Sequence, residues 1–145
     1  MLISEIKGKN ILIWGMGTEG RAAKEYIERH ALAANLMIYN DDDGAEKLRK
    51  LFEKTDVIIR SPGVSIYKKE IQDAESRGIR ITSCSDLFLS EMRAGRPRTK
   101  VIGISGSKGK STSVSMLFHI LKSAGCHAAL GGNIGKPLIE LIDGN

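Results

Sequence analysis

Short apolar runs alternate with helical patterns along this chain. Asn10 to Trp14, Leu36 to Tyr39, Val57 to Ile59 and Ile79 to Ile81 are almost continuously hydrophobic, which predicts strands buried on both faces. Between them, Thr18 to His30 carries Ala22, Ala23, Tyr26 and Ile27 on one helical stripe, and Ala45 to Phe52 carries Leu48, Leu51 and Phe52 likewise. Further helices are predicted over Tyr67 to Ser76, with Gly78 as a left-handed stop, and over Asp86 to Met92. Strict alternation of strand and helix implies an α/β fold, a parallel sheet with right-handed crossovers.

The pattern breaks at Ala94-Gly95-Arg96-Pro97-Arg98-Thr99, where Gly, Pro and charge replace apolar periodicity. Residues 94–99 are therefore expected to link a first domain, 1–93, to a second unit, 100–145. That unit restarts with a predicted strand from Lys100 to Ser105, a glycine-rich turn, and a helix from Ser111 to Ala124 bearing Val114, Leu117, Phe118 and Leu121. A short strand from His127 to Leu130, a Gly131-Gly132-Asn133-Ile134-Gly135 loop and a helix from Pro137 to Ile142 are expected to follow. With at most two strands, this unit is marginal for a core of its own.

The chain has 145 residues, of which 41% are hydrophobic and 27% charged, a composition that excludes a disordered tail. No apolar run approaches the roughly 18 residues of a membrane span, and the first residues lack the order of a secretory signal, so a cytoplasmic location is expected. Cys84 and Cys126 form no metal-binding or disulfide pattern and read as buried thiols. The net charge of +5 lies wholly in residues 96–145, since residues 1–95 hold 15 basic and 15 acidic side chains. Aromatic residues are 5% of the chain and do not interleave with the Arg96, Arg98 and Lys100 cluster or with Lys68-Lys69, which argues against a nucleic-acid partner.

Two glycine-rich turns carry the chemistry. Gly106-Ser107-Lys108-Gly109-Lys110-Ser111-Thr112 stands between a predicted strand and a predicted helix. A phosphate loop needs amides that can wrap oxygens, a lysine for the outer phosphates and a hydroxyl for Mg²⁺, and all are present. The leading glycine is Gly106, because the position it holds in the common spacing is Ile104. Gly15-Met16-Gly17-Thr18-Glu19-Gly20 stands between the first strand and the first helix, where such a turn admits a diphosphate. The tip of the second strand reads Asn40-Asp41-Asp42-Asp43, and the third strand runs into Ser61-Pro62-Gly63 at the same sheet edge. A solvated lysine turn, a packing glycine and a solvated acidic loop are the plainer readings of these segments.

Other candidates are bland. His30, His119 and His127 lack metal-ligand spacing, the three aspartates lack a calcium-loop pattern, and Trp14 ends a buried strand as packing.

Ile104 to Thr112, followed by Leu130-Gly131-Gly132-Asn133-Ile134-Gly135-Lys136-Pro137, resembles the ATP-binding region of the Mur ligases. The Gly15 to Gly20 turn, Ser61-Pro62-Gly63 and Ser85-Asp86-Leu87-Phe88 resemble that family's N-terminal substrate domain in the same order. The match departs at Asn40-Asp41, where the family presents Asp followed by a small hydroxyl residue. The resemblance implies a Rossmann-like domain that binds a UDP-substrate, followed by the truncated start of a P-loop ATPase-type α/β domain. It further implies an ATP-dependent amide ligase of peptidoglycan synthesis. ATP would phosphorylate the carboxylate of UDP-N-acetylmuramoyl-L-alanine, and the amine of D-glutamate would attack the acyl phosphate.

On that resemblance, Gly106 to Lys110 would hold phosphate oxygens and Lys110 would balance β and γ charge. Ser111 or Thr112 would ligate Mg²⁺. Gly15, Gly17, Thr18, Glu19 and Gly20 would receive the UDP diphosphate, Asn40, Asp41, Ser61, Pro62 and Gly63 would line the uridine pocket, and Asn133 would face the reacting centre. After Thr112 the only carboxylates are Glu140 and Asp143, so a metal-holding acid at a strand end is expected beyond residue 145, and the chain alone is expected to lack turnover. The alternatives are an NAD(P)-binding Rossmann module and a stand-alone P-loop nucleotide-binding protein.

Overall fold

A computed structural model of the chain describes residues 1–95 and 98–143. Four strands, β1 (Lys9–Trp14), β2 (Ala33–Tyr39), β3 (Val57–Arg60) and β4 (Arg80–Thr82), form one all-parallel sheet in the order β2-β1-β3-β4. The connections are α2 (Thr18–Arg29), a 3-10 turn at Asp41–Asp43 with α3 (Ala45–Phe52), and α4 (Lys69–Ser76). A short α1 (Ile3–Ile6) precedes the sheet and α5 (Cys84–Gly95) follows it. This is the Rossmann-like architecture expected. Gly78 adopts φ +82° just past α4, as its stop role requires.

Successive side chains of a strand face opposite sides of the sheet, and both sides are covered. Ile11, Ile13, Val57 and Ile59 pack with Ala22, Ala23, Tyr26 and Ile27 of α2 and Leu87 of α5. Leu12, Trp14 and Ile58 pack on the other side with Leu48 and Phe52 of α3 and Ile71 and Ala74 of α4. The handedness of parallel crossovers explains the split, because the chain winds outward from β1 in one direction and back in the other.

The second half differs from its pattern. Residues 100–105 and 127–130 form no strand, in contrast to the expectation for both, since no described strand lies beside them to take up their backbone groups. An isolated bridge between Gly131 and Lys136 is the sole pairing among the described residues there. Helix α6 (Lys110–Ser123) forms as its pattern predicts, with Val114, Leu117, Phe118 and Leu121 half-buried and Met116 and Ile120 exposed. Ala94 and Gly95 close α5; the linker positions Arg96 and Pro97 lie outside the described residues.

The last segment is a 3-10 helix, Leu138–Asp143, and it returns to the first half of the chain. Ile139 is fully buried in the α2/α5 core and Leu141 packs with Phe88 and Met92. The Tyr26 hydroxyl donates to Asp143 Oδ1 at 3.2 Å, and His30 Nε2 lies 3.3 Å from Asp143 Oδ2. Burial, followed by the charge of Asp143, pushes the Tyr26 hydroxyl up to about 12. Cys84 is buried, whereas Cys126 is exposed, which corrects the reading of both as buried thiols. No helix among the described residues is long and apolar enough to cross a membrane.

Candidate functional site

Trp14 is in register with Tyr39 on one side and Arg60 on the other, so the carboxyl ends of β1, β2 and β3 finish level. The chain leaves β1 for β2 on one flank and returns to β3 on the other. Loops that diverge in this way open a crevice at the sheet edge. The crevice here has a volume of about 410 Å³. Gly15, Gly17, Thr18 and Glu19 line it from the first turn, Asn40 and Asp41 from the β2 tip, and Ser61, Pro62 and Gly63 from the β3 loop. Asn133 joins them from the second half of the chain. Trp14 and Val64 complete the lining, while Gly20 is buried beneath the turn.

The turn is braced from every side. Gly15 has φ +91°, a conformation that a side chain would oppose. Its N–H donates to the Tyr39 carbonyl at 2.9 Å, and its carbonyl accepts the Ser61 hydroxyl at 2.5 Å. Met16 N–H donates to Asn40 Oδ1 at 3.0 Å, and the Met16 carbonyl accepts from Arg21 at 2.8 Å. Gly20 permits this closeness: a Cβ there would stand 2.0 Å from the Gly15 carbonyl oxygen. Gly17 then caps α2 without any side-chain bond. First-turn amides of a helix have no acceptor within it and attract anions, so the cleft floor offers amide donors to a negatively charged group.

Two carboxyl groups flank this floor. Glu19 Oε2 is buried and has no hydrogen-bond partner among the described residues, and desolvation raises the Glu19 carboxyl above its ordinary range. Asp41 is the opposite case. Its Oδ2 accepts from Lys68 Nζ at 2.6 Å and its Oδ1 from the Trp14 indole N–H at 2.9 Å, and these two bonds, Lys68 foremost, hold the carboxyl below its usual value. Trp14 packs edge-on against Tyr39 at 5.1 Å, as its position at a strand end suggests, and also uses its N–H in the cleft wall. Sequence reasoning did not single out Val64, named Lys68 only within the basic pair Lys68-Lys69 and read Trp14 as packing alone. Lys68 and Trp14 each meet Asp41 from 27 positions away, a distance that no local motif encodes.

The second glycine turn stands apart. None of Gly106 to Thr112 lines the cleft. Gly109, at φ +76°, precedes α6, and Lys110 Nζ folds back onto the carbonyls of Gly106 and Ser107. Ser111 and Thr112 lie exposed in the first turn of α6. The lysine of this glycine turn is thus bonded to the carbonyls of its own loop. Among the described residues, no group of three or more His, Cys, Asp or Glu side chains is placed to hold a metal ion.

Comparison with curated proteins identifies relatives over nearly the whole chain. A UDP-N-acetylmuramoyl-L-alanine--L-glutamate ligase of Xanthomonas axonopodis pv. citri is 31% identical over 158 aligned positions, which cover 98% of this chain and 34% of that protein. A UDP-N-acetylmuramoylalanine--D-glutamate ligase of Mannheimia succiniciproducens is 33% identical over 158 positions, covering 99% and 34%. Over almost its whole length the sequence is similar to part of these ligases. A third Mur ligase relative, the UDP-N-acetylmuramoyl-L-alanine--L-glutamate ligase of a Micromonospora species, is 31% identical over 99% of this chain. The chain spans about a third of the length of these curated Mur ligases. No family model matches it.

Proposed function

We propose that this chain supplies the substrate-nucleotide cleft and the phosphate loop of an ATP-dependent ligase that joins glutamate to UDP-N-acetylmuramoyl-L-alanine in peptidoglycan precursor synthesis. The observation that carries the reading is Asn133 in the cleft. A residue beyond the phosphate loop joins the walls formed by Gly15 to Glu19 and Ser61 to Gly63, so one site draws on both glycine-rich halves. A dinucleotide-binding module gives the second half no such part.

In this reading the N-terminal amides of α2 hold the UDP diphosphate, and the β2 and β3 tips hold the nucleoside. The braced Gly15 and Met16 backbone keeps those amides fixed before the ligand arrives, which limits the ordering cost of binding. At the second turn, Lys110 exchanges its loop carbonyls for β and γ phosphate oxygens of ATP, and amides of Gly106 to Lys110 surround the phosphates. Ser111 and Thr112 are the hydroxyls available to Mg²⁺, which supplies charge neutralisation at the transferring phosphoryl group when bound. The γ-phosphoryl group passes to the substrate carboxylate and ADP leaves. The glutamate amine then attacks the acyl carbon, phosphate departs, and the amine gives up a proton. D-glutamate is the amine that the sequence resemblance implies, and both D- and L-glutamate ligases stand among the relatives. The free thiols of Cys84 and Cys126 suit a cytoplasmic setting.

The test is a thermal-shift comparison. A ligand that binds only the native state raises the melting temperature. UDP-N-acetylmuramoyl-L-alanine is expected to stabilise the chain, and stabilisation by NAD(H) or NADP(H) alone would refute the reading. Parallel assays of the full-length parent protein with D- and L-glutamate identify the amino acid from ADP and phosphate release.

A further inference from the structure

Asp41 is the carboxylate that the β2 tip presents to the cleft, and the fold does not leave it free to turn. Each of its oxygens already accepts one bond, Oδ1 from the Trp14 indole at 2.9 Å and Oδ2 from Lys68 Nζ at 2.6 Å. Lys68 precedes α4 on the far side of the cleft from β2, and its ammonium also lies 5.6 Å from the centroid of the Trp14 ring. It is thus fixed both by the acid and by the aromatic face. Two-thirds of the Lys68 side chain is buried, whereas Asp41 remains 54% exposed. Its neighbour Asn40 spends its side-chain oxygen on Met16 N–H. Asp41 still has acceptor capacity at the cleft wall, because a carboxylate oxygen can take a second donor.

A bare carboxylate beside a helix N-terminus that binds a diphosphate would repel the ligand. A neighbouring ammonium at hydrogen-bond distance cancels that charge while leaving the acceptor in place. We propose that Lys68 is a positioning residue for nucleoside recognition, clamping Asp41 against Trp14 so that the carboxylate accepts a donor from the nucleoside of a uridine diphosphate ligand. The donor is either the base N3–H or a ribose hydroxyl. The proposal rests on the reading of the cleft as the UDP-substrate site and adds a residue that lies outside both glycine motifs.

The test is a double-mutant cycle on the 145-residue chain, with UDP binding measured by calorimetry for the parent, Lys68→Met, Asp41→Asn and the double variant. Loss of a hydrogen bond to a charged group corresponds to about a tenfold or greater loss of affinity. Lys68→Met is expected to show that loss, to show no further loss in the Asp41→Asn background, and to be partly rescued as Lys68→Arg. A purely structural role for Lys68 would not make the two effects overlap. Repeating the cycle with 2′-deoxy-UDP and with N3-methyl-UDP identifies the donor, since the ligand lacking it binds the parent and Lys68→Met alike. Parent-like UDP affinity in Lys68→Met, or losses that simply multiply in the double variant, would overturn the proposal. A parent chain that binds no UDP would instead overturn the reading of the cleft, and the proposal with it.

Discussion

Gly20 is where the packing of the fold and the shape of the cleft depend on a single missing methyl group. A Cβ at this position would lie 2.0 Å from the Gly15 carbonyl oxygen, 3.0 Å from the Gly15 carbonyl carbon and 3.0 Å from Ser61 Oγ. Real Cβ atoms stay beyond 3.0 Å, so Gly20→Ala must part α2 from the turn by about 1 Å. Neither side yields easily. Gly15 is held by the Tyr39 carbonyl and by the Ser61 hydroxyl, and α2 is anchored through buried Ala22, Ala23, Tyr26 and Ile27. Overpacking costs about 1–3 kcal/mol and the loss of the Ser61 bond about 1 kcal/mol more, so Gly20→Ala should destabilise by about 2–4 kcal/mol. For a chain of this size that is a fall of roughly 6–12 °C in melting temperature. Gly17→Ala is the control, because nothing lies within 4 Å of its Cβ and its φ is −67°. Calorimetry of both variants should show the Gly20 fall with a parent-like Gly17→Ala. If Gly20→Ala melts within about 1 °C of the parent, the close approach of helix and turn is not as described.

The remaining predictions concern other parts of the chain. Ile139→Ala, at a fully buried site, should cost about 2–4 kcal/mol in a denaturant melt, and a neutral result would separate the last segment from the core. Under native conditions a thiol reagent should modify exposed Cys126 quickly. Cys84, whose thiol burial and the charge of Glu19 push up to about 12, should react only on unfolding. Asp41 has a folded value below its ordinary 3.8, so its contribution to stability is present above that pH and is lost as pH falls through the lowered value. The melting-temperature gap between parent and Asp41→Asn should therefore close in acid, and a gap that widens there would contradict the Lys68 bond.

The layered sheet was legible because the central strands β1 and β3 are short runs of Ile, Leu and Val covered on both faces, whereas the edge strands β2 and β4, expected to be buried likewise, are only partly covered. What escaped depends on contacts between distant residues. Ala33 to Asn35 extend β2 beyond its apolar run, since pairing with β1 sustains an edge that hydrophobicity does not mark. Helix α1 is too short to be stable alone and is held by Met1 on Asp86 and Ser90 and by Ile3 N–H on Glu91. The opposite error arose at Lys100 to Ser105, where a strand-like composition has no strand to pair with among the described residues. At the cleft, the glycine and Ser-Pro-Gly motifs pointed to the residues that line it, because tight turns must be local in sequence. Lys68 is invisible to that logic: it acts through a side chain that reaches back across the sheet edge to Asp41.

The measurement that bears most directly on the account is an amide NMR titration of the chain with UDP-N-acetylmuramoyl-L-alanine. Amide shifts confined to Gly17 through Gly20, Asp41, Ser61, Gly63 and Asn133 are the expected result, with Gly106 to Thr112 responding to ATP and Mg²⁺ instead. An unperturbed spectrum with the UDP ligand, or the same cleft residues moving only with NAD(P), would contradict it.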